Sequence, residues 1–477
     1  MALTVNTGFK NNITKIEEAH GIQVLNSTAT LNTKETFTSK IVIDSGKTFE
    51  CSNTVIQYEA SGSPVFEVYG TLKLINCTVI LSNPVDLIYI SSGNVYLKNV
   101  TITNLFEGTA GSLFQADSGS LYIDGFDAHN FVGADIWGIN NLYLSNLNIS
   151  ITDSFHISNS NNVTLINSAI NFLYQPEPNG SVSQTRLIEL SSIKDAKIIN
   201  NTINIPVEAL EFYSAFLEAL CLNIAENVIV KNNRIVNGGK IIVTYDARNI
   251  LIANNTLLAE KLVEGSELQI DQDSENITII NNTISMFWEG IEIYSHSKII
   301  VKNNTVYNCD TAIKIEPLNW DDVADVVVEG NRFVNSNVLV FYTIGVTLKN
   351  NLFENLEIVI MSSKNITLKM CTLKNSTVYL EESTENITII DNTIYVETGR
   401  EWLKIEENVK NIVVDNNTII EIEDSSGETV EQETPSTGEE TQDHEGRELP
   451  FFVKIVSTAV IVAIALLLVG LKIRKGS

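Results

Sequence analysis

NITIINNTI at residues 276–284 and NITIIDNTI at residues 386–394 are almost one nonapeptide written twice. In each, apolar residues recur at every second position on either side of a polar pair, the period of a β-strand. The first copy also holds two N-glycosylation sequons, Asn276-Ile277-Thr278 and Asn281-Asn282-Thr283. The stretch therefore offers two explanations, a sugar acceptor or a repeating fold.

With Asn282 as position zero, apolar residues fall at −5, −3 and +2. The same frame recurs at Ser27, Thr54, Cys77, Val100, Phe126, Leu147, Ser168, Asn201, Asn233, Asn255, Asn304, Asn331, Asn351, Cys371, Asn392 and Asn417. These 17 units are mostly 20–27 residues apart, with two of about 32. β-Branched residues fill them, and they are too short for a crossover helix. Position −6 is repeatedly Asn, Asp or Gly (Asn162, Asn227, Asn249, Gly345, Asn411), and so is −1 (Asn76, Gly125, Asn200, Gly330, Asp391). Those residues enter the left-handed region cheaply, so they mark two tight corners. Each unit is then one coil of an all-β solenoid, with a third strand visible in GIEIY (290–294) and AIKIE (312–316). Coils stacking at about 4.8 Å would build a rod of roughly 80 Å. Position zero points inward, so Asn201, Asn233, Asn255, Asn282, Asn304, Asn331, Asn351, Asn392 and Asn417 should form an asparagine ladder whose amides satisfy one another.

The blocks NITIINNTI, NVIVKNNRI, NILIANNTL and KIIVKNNTV resemble the right-handed parallel β-helix repeats of pectin-lyase-like and NosD-type proteins. The resemblance covers nearly all of residues 15–420 and implies a single-stranded right-handed parallel β-helix of about 17 coils. It implies no one function, because that scaffold hosts lyases, glycosidases, adhesins, tailspikes and surface-layer components.

Composition narrows the partners. Net charge is −27, even though the last 27 residues carry Lys454, Lys472, Arg474 and Lys475 without an acid. Such a body repels phosphates, which argues against nucleic acid. The five cysteines show no metal or disulfide-framework spacing and are expected as small core fillers. Residues 455–471 are an uncharged apolar run long enough to enter a bilayer, with the basic tail after it. The expected order is an N-terminal cap or disordered start (1–20), the β-helix (21–420), an acidic Ser/Thr/Glu-rich stalk (421–449), one transmembrane helix (450–472) and a basic cytoplasmic tail (473–477). The positive-inside rule then puts the bulk of the chain outside a cell membrane, as a single-pass protein. No apolar signal-peptide core follows Met1, so either the natural N-terminus differs, as the exterior placement expects, or the chain is tail-anchored and faces the cytosol. A C-terminal anchor behind an acidic stalk is similar to archaeal membrane-anchored surface glycoproteins.

An enzyme on this scaffold needs clustered carboxylates. The polygalacturonase-like set is absent, and the five histidines are scattered. The best cluster comes from stacking at position −9, which aligns Asp246, Asp273, Ser295 and Asp322. Asp271, Asp321, Glu289, Asp310, Trp288 and Trp320 lie nearby. Such a column would take Ca²⁺ or stack a sugar ring, although Asp is also simply a good corner residue. Glu292 and Lys314 read as a surface ion pair. The insertions FLYQPEPNGSVSQ (172–184) and VEALEFYSAFLEAL (207–220) fall on consecutive coils, the second with a helical period. Arg186 and Arg248 are placed by no motif, so no catalytic base is assigned.

These observations favour a non-enzymatic surface rod with a structural, surface-layer, adhesion or filament role, and no cofactor beyond Ca²⁺. Carbohydrate, other surface proteins and further copies of the chain are its expected partners. The alternative is a membrane-tethered polysaccharide lyase or glycoside hydrolase. Sixteen sequons occur. Asn26, Asn76, Asn99, Asn200, Asn254, Asn281, Asn303 and Asn416 stand at corner −1, and Asn162, Asn276, Asn365 and Asn386 at corner −6. Only Asn12, Asn148, Asn179 and Asn375 fall off the pattern, so most sequons follow from the fold, whatever sugar they carry.

Overall fold

The computed structural model describes residues 16–19, 22–25, 29–31, 34–173, 185–209, 217–238, 240–271, 273–295, 298–317 and 323–423. Their strands join in one continuous hydrogen-bonded arrangement. Strands Ile16–Ala19 and Ile22–Leu25 pair antiparallel; beyond them each strand pairs in parallel with its equivalent one coil away. Thus Lys364–Lys369 lies under Glu385–Ile390, Thr372–Lys374 under Thr393–Glu397, and Thr377–Glu381 under Leu403–Ile405. The result is an all-β right-handed solenoid of about 15 turns, slightly fewer than the 17 units of the sequence. At the N-terminal end the frame read from Ser27 does not hold, because Ala29–Leu31, and not Ile22–Leu25, pairs with Thr48–Ser52. Stacked Tyr96, Tyr122 and Tyr143 show the rise per coil directly, with successive ring centroids 4.8 Å apart.

The inward frame holds. Ile277, Ile279, Asn282 and Ile284 are buried, while Thr278 and Thr283 between them are not. The asparagine ladder is present, and each interior amide is saturated. The Asn282 Oδ1 accepts from the Asn255 main-chain N–H at 2.9 Å and from Asn255 Nδ2 at 3.0 Å. Asn282 Nδ2 donates to Asn304 Oδ1 and to the Ile252 carbonyl, both at 3.0 Å. The pattern repeats from Asn201 to Asn351. Cys371 interrupts it, and Asn392 and Asn417 resume it. Earlier coils use Ser168, whose main-chain N–H donates to Asn201 Oδ1, then hydrocarbon at Leu147, Phe126 and Val100, and Cys77 and Thr54 before them.

Corners −6 and −1 are left-handed as expected: φ is 55° at Asn276 and 56° at Asn281. Two further left-handed corners exist that the two-corner reading missed. At +4 lie Asn308, Asn335, Asn355 and Asn375, with φ between 47° and 55°. At −9 lie Asn159, Ser192, Ile224, Asp246, Tyr342 and Ser362. Ile and Tyr are poor left-handed residues, which hid that corner from composition. Outside the core the corner asparagines stack in ladders of their own, such as Asn99 Nδ2 to Asn76 Oδ1 (3.0 Å) and Asn276 Nδ2 to Asn249 Oδ1 (2.7 Å).

The expected helix at 207–220 is corrected. Residues 207–209 make a helical turn, but Leu217–Asn223 is a strand on Thr185–Ser191 and Lys240–Tyr245. Leu220 and Leu222 stack inward on Ile188 and Leu190, and that pairing overrides the helical period. All five cysteines are buried. Among the described residues no helix is long and apolar enough to cross a membrane. The run 455–471 lies outside them, as do the tail and all of the expected stalk beyond residue 423.

Among the described residues, the coil that ends at strand Thr418–Ile422 is the least buried. Val414 (44% exposed), Ile419 (50%) and Ile405 (48%) occupy slots whose equivalents one coil below, Ile389, Ile394 and Leu380, are fully buried.

Candidate functional site: a charged face of the solenoid

Between residues 185 and 316 one outward-facing sheet departs from the rest of the rod. Outward residues of a regular coil are wetted, yet here several are buried. The registers Glu189–Cys221–Val243–Gln269–Glu292–Lys314 form one column. Beside it runs Tyr245–Asp271–Tyr294–Glu316, aligned by main-chain bonds from Asp271 to Thr244, Tyr294 to Ile270 and Glu316 to Ile293. Cys221, Gln269 and Glu292 are buried although they point away from the core.

Two ionic clusters sit on this face. In the first, Glu218 is fully buried. It accepts from Arg186 Nε at 2.9 Å and from the Tyr245 hydroxyl at 3.0 Å. Arg186 also reaches Glu189 at 2.6 Å, and its guanidinium lies 5.5 Å from the Tyr245 ring centre. Burial, then Glu218, pushes the Tyr245 phenol upward, and the same two influences raise the Cys221 thiol. In the second cluster Lys314 Nζ is ringed by Glu316 at 2.9 Å, Glu292 at 3.2 Å and Glu289 at 3.4 Å. Burial opposes the ammonium charge, but these carboxylates outweigh it and hold Lys314 protonated. Tyr294 donates to Glu292 and lies beneath Lys314. The buried carboxylates Glu218 and Glu292 are three coils apart, roughly 14 Å along the stack at about 4.8 Å per coil, and Glu218 is also displaced three residues along the strand.

Glu292 and Lys314 are therefore no surface pair: Glu292 is 3% exposed. Of the residues chosen from sequence, Asp271, Glu289 and Trp288 fall on or beside this face, Trp288 being 47% exposed. Asp246 is a left-handed corner residue 3.7 Å from Arg248, whose Nε lies 3.5 Å from Glu275. Asp273 is exposed at a turn, and Asp310 is exposed on the loop before the next strand. The expected column does not continue through Ser295, which is buried and donates to the Ser274 carbonyl at 2.6 Å, one residue out of line with Asp273. Asp321, Asp322 and Trp320 lie outside the described residues, as do the sequons Asn12, Asn26 and Asn179. Among the described residues no three His, Cys, Asp or Glu side chains are grouped to hold a metal. Arg186 had been noted without a role, and Glu218 and Tyr245 were missed; the only signal was a register recoverable once the coils had been paired.

Residues 190–355 match the family model described as right handed beta helix region. No curated protein matches. Among solved structures, the periplasmic alginate epimerase AlgG is 10% identical, with 85% of this chain and 79% of that one covered and a TM-score of 0.23. A mutant tailspike protein of E. coli bacteriophage HK620, in complex with a pentasaccharide, is 12% identical over 82% of this chain and 72% of that one, with a TM-score of 0.37. The receptor-binding domain of the siphovirus 9NA tailspike is 8% identical over 88% and 75%, with a TM-score of 0.12. The chain is a right-handed parallel β-solenoid, and its residues 190–355 carry the match to the right-handed beta-helix family.

Proposed function

We propose that this protein is a rigid rod of the cell surface, anchored through the apolar run 455–471 and its acidic stalk, with a structural or adhesive role. The observation that supports the reading is the continuity of the stack. Internal and external asparagine ladders run coil after coil, and a saturated, dry core resists bending. Corner asparagines face solvent and present the sequons to a glycosylating compartment. Treating intact cells with a membrane-impermeant amine label tests the placement: a labelled chain is expected, and labelling only after lysis would overturn the exterior reading.

A second reading, a tethered polysaccharide lyase or glycoside hydrolase, is favoured by the Lys314 cluster with exposed Trp288 beside it. Buried ionic groups on an outward face are a recurrent mark of functional sites. The full chain assayed on acidic polysaccharides, with and without Ca²⁺, decides between the two. Chain cleavage that is lost in Glu292→Gln and Lys314→Met proteins would establish the enzyme and displace the structural role.

A further inference from the structure

The ladder asparagines at position zero meet the same group in coil after coil. Asn233, Asn255 and Asn304 each donate to the carbonyl at position −3 of the preceding coil, on Ile198, Val230 and Ile279. Cys77 stands at position zero, and its Sγ makes the equivalent contact, 3.1 Å from the Cys51 carbonyl oxygen. Here the −3 residue is itself a cysteine with its side chain directed into the core. The two sulfurs lie 2.9 Å apart, both buried, 26 residues apart in sequence and on neighbouring coils. Cys371 also occupies position zero, but its −3 neighbour is Leu348. Cys221 belongs to the outward column already described, and Cys309 to a different corner.

We propose that Cys51 and Cys77 are a redox pair that closes an intercoil disulfide when the protein meets a disulfide oxidant, such as oxidised glutathione or a disulfide oxidoreductase. The Cys77 thiolate attacks one sulfur of the oxidant, whose own S–S bond breaks and releases the first thiol. Cys51 then loses its proton and attacks Cys77 Sγ, forming the Cys51–Cys77 bond of about 2.05 Å and releasing the second thiol. Two protein thiols are oxidised and one disulfide is reduced to two thiols. The sulfurs are already positioned by the coil register, so the closure needs only a small approach of two side chains. Because both are buried, exchange proceeds while the N-terminal coils are open. The bond ties one coil to the next and closes a loop of one coil, which restricts the unfolded chain.

The test uses the purified full chain incubated with excess oxidised glutathione, then denatured and alkylated without reductant. Peptide mass mapping is expected to find Cys221, Cys309 and Cys371 alkylated and Cys51 linked to Cys77, with all five alkylated after reduction. Five alkylated cysteines in the oxidised sample, glutathione adducts without that link, or a link between any other two cysteines would overturn the proposal. A second measurement compares thermal midpoints with and without reductant. Wild type should unfold at lower temperature when reduced, and Cys51→Ala should show no reductant effect. An equal effect in both would overturn it too.

Discussion

Asn281 and Asn282 are one residue type in adjacent positions, yet different physics holds each of them. Asn282 is in the core and completes four side-chain hydrogen bonds. Asn282→Ala would strand two donors of Asn255 and weaken the Ile252 carbonyl, at about 1–3 kcal/mol for each buried group left unmade. Asn281 is exposed and supplies only a φ of 56°. Asn281→Gly should be close to neutral and Asn281→Ala should cost about 1 kcal/mol. Denaturant midpoints of the three variants check this, and a milder loss at 282 than at 281 would contradict the ladder account. Corners −6 and −1 were legible because Asn repeats there in nearly every unit. The −9 corner was not, since Ile224 and Tyr342 occupy it at a conformational cost that composition does not show. Asn375 illustrates the same limit. It looked like a sequon independent of corner chemistry, but its φ is 47° and its Nδ2 bonds Asn355 Oδ1 at 3.1 Å.

On the scale of a sheet, the charged face shows what register alone withholds. Alignment places Glu292 opposite Lys314, and that much was readable. Burial was not, because it depends on local departures from the regular register. The strand Thr256–Ile270, for instance, bulges twice against Thr283–Ile293. In the first cluster, Arg186→Ala would leave Glu218 buried without its cation. Such losses cost about 3–5 kcal/mol, whereas a full apolar replacement of the pair with similar volume is often neutral. The expected outcome is a large drop in unfolding free energy for Arg186→Ala and a smaller one for Arg186→Met/Glu218→Leu. Equal drops would remove the ionic explanation. Nearer the N-terminus, burial works to raise the Glu67 carboxyl, but bonds from Lys40 and Tyr69 prevail and lower it. A carboxylate lowered on folding adds stability above its unfolded value, and that stability disappears as pH falls through the folded one. Wild type should therefore lose more stability than Glu67→Gln between about pH 5 and more acid conditions. Parallel pH profiles would show that the contact contributes nothing.

Across the described residues as a whole, the C-terminal coil is the exceptional region. Leu403, Ile405, Ile412, Val414 and Ile419 present an apolar cross-section and three strand edges, a template for another chain. Glu421 answers this hazard. It pairs with Val396, which is 4% exposed, so its carboxylate stands in an inward slot at the very end of the stack. Stacking another coil there would bury an unpaired charge. Glu421→Val should therefore promote concentration-dependent association in sedimentation velocity, while a conservative change at an outward site such as Ile420→Thr should not. No association in Glu421→Val would show that something other than charge guards the end.

That same end also sets how the protein answers force. Pulled at its C-terminal side, the chain meets its least buried coil first, and each coil is bonded chiefly to the one beneath it. Extension would then proceed as unravelling from one end rather than as collapse of a whole domain. Neighbouring ladder positions near this end are 21 and 25 residues apart. Each rupture would thus free roughly 70–90 Å of extended chain. The rod would act as a stepwise shock absorber, paying out length from its C-terminal end while the remaining coils stay wound.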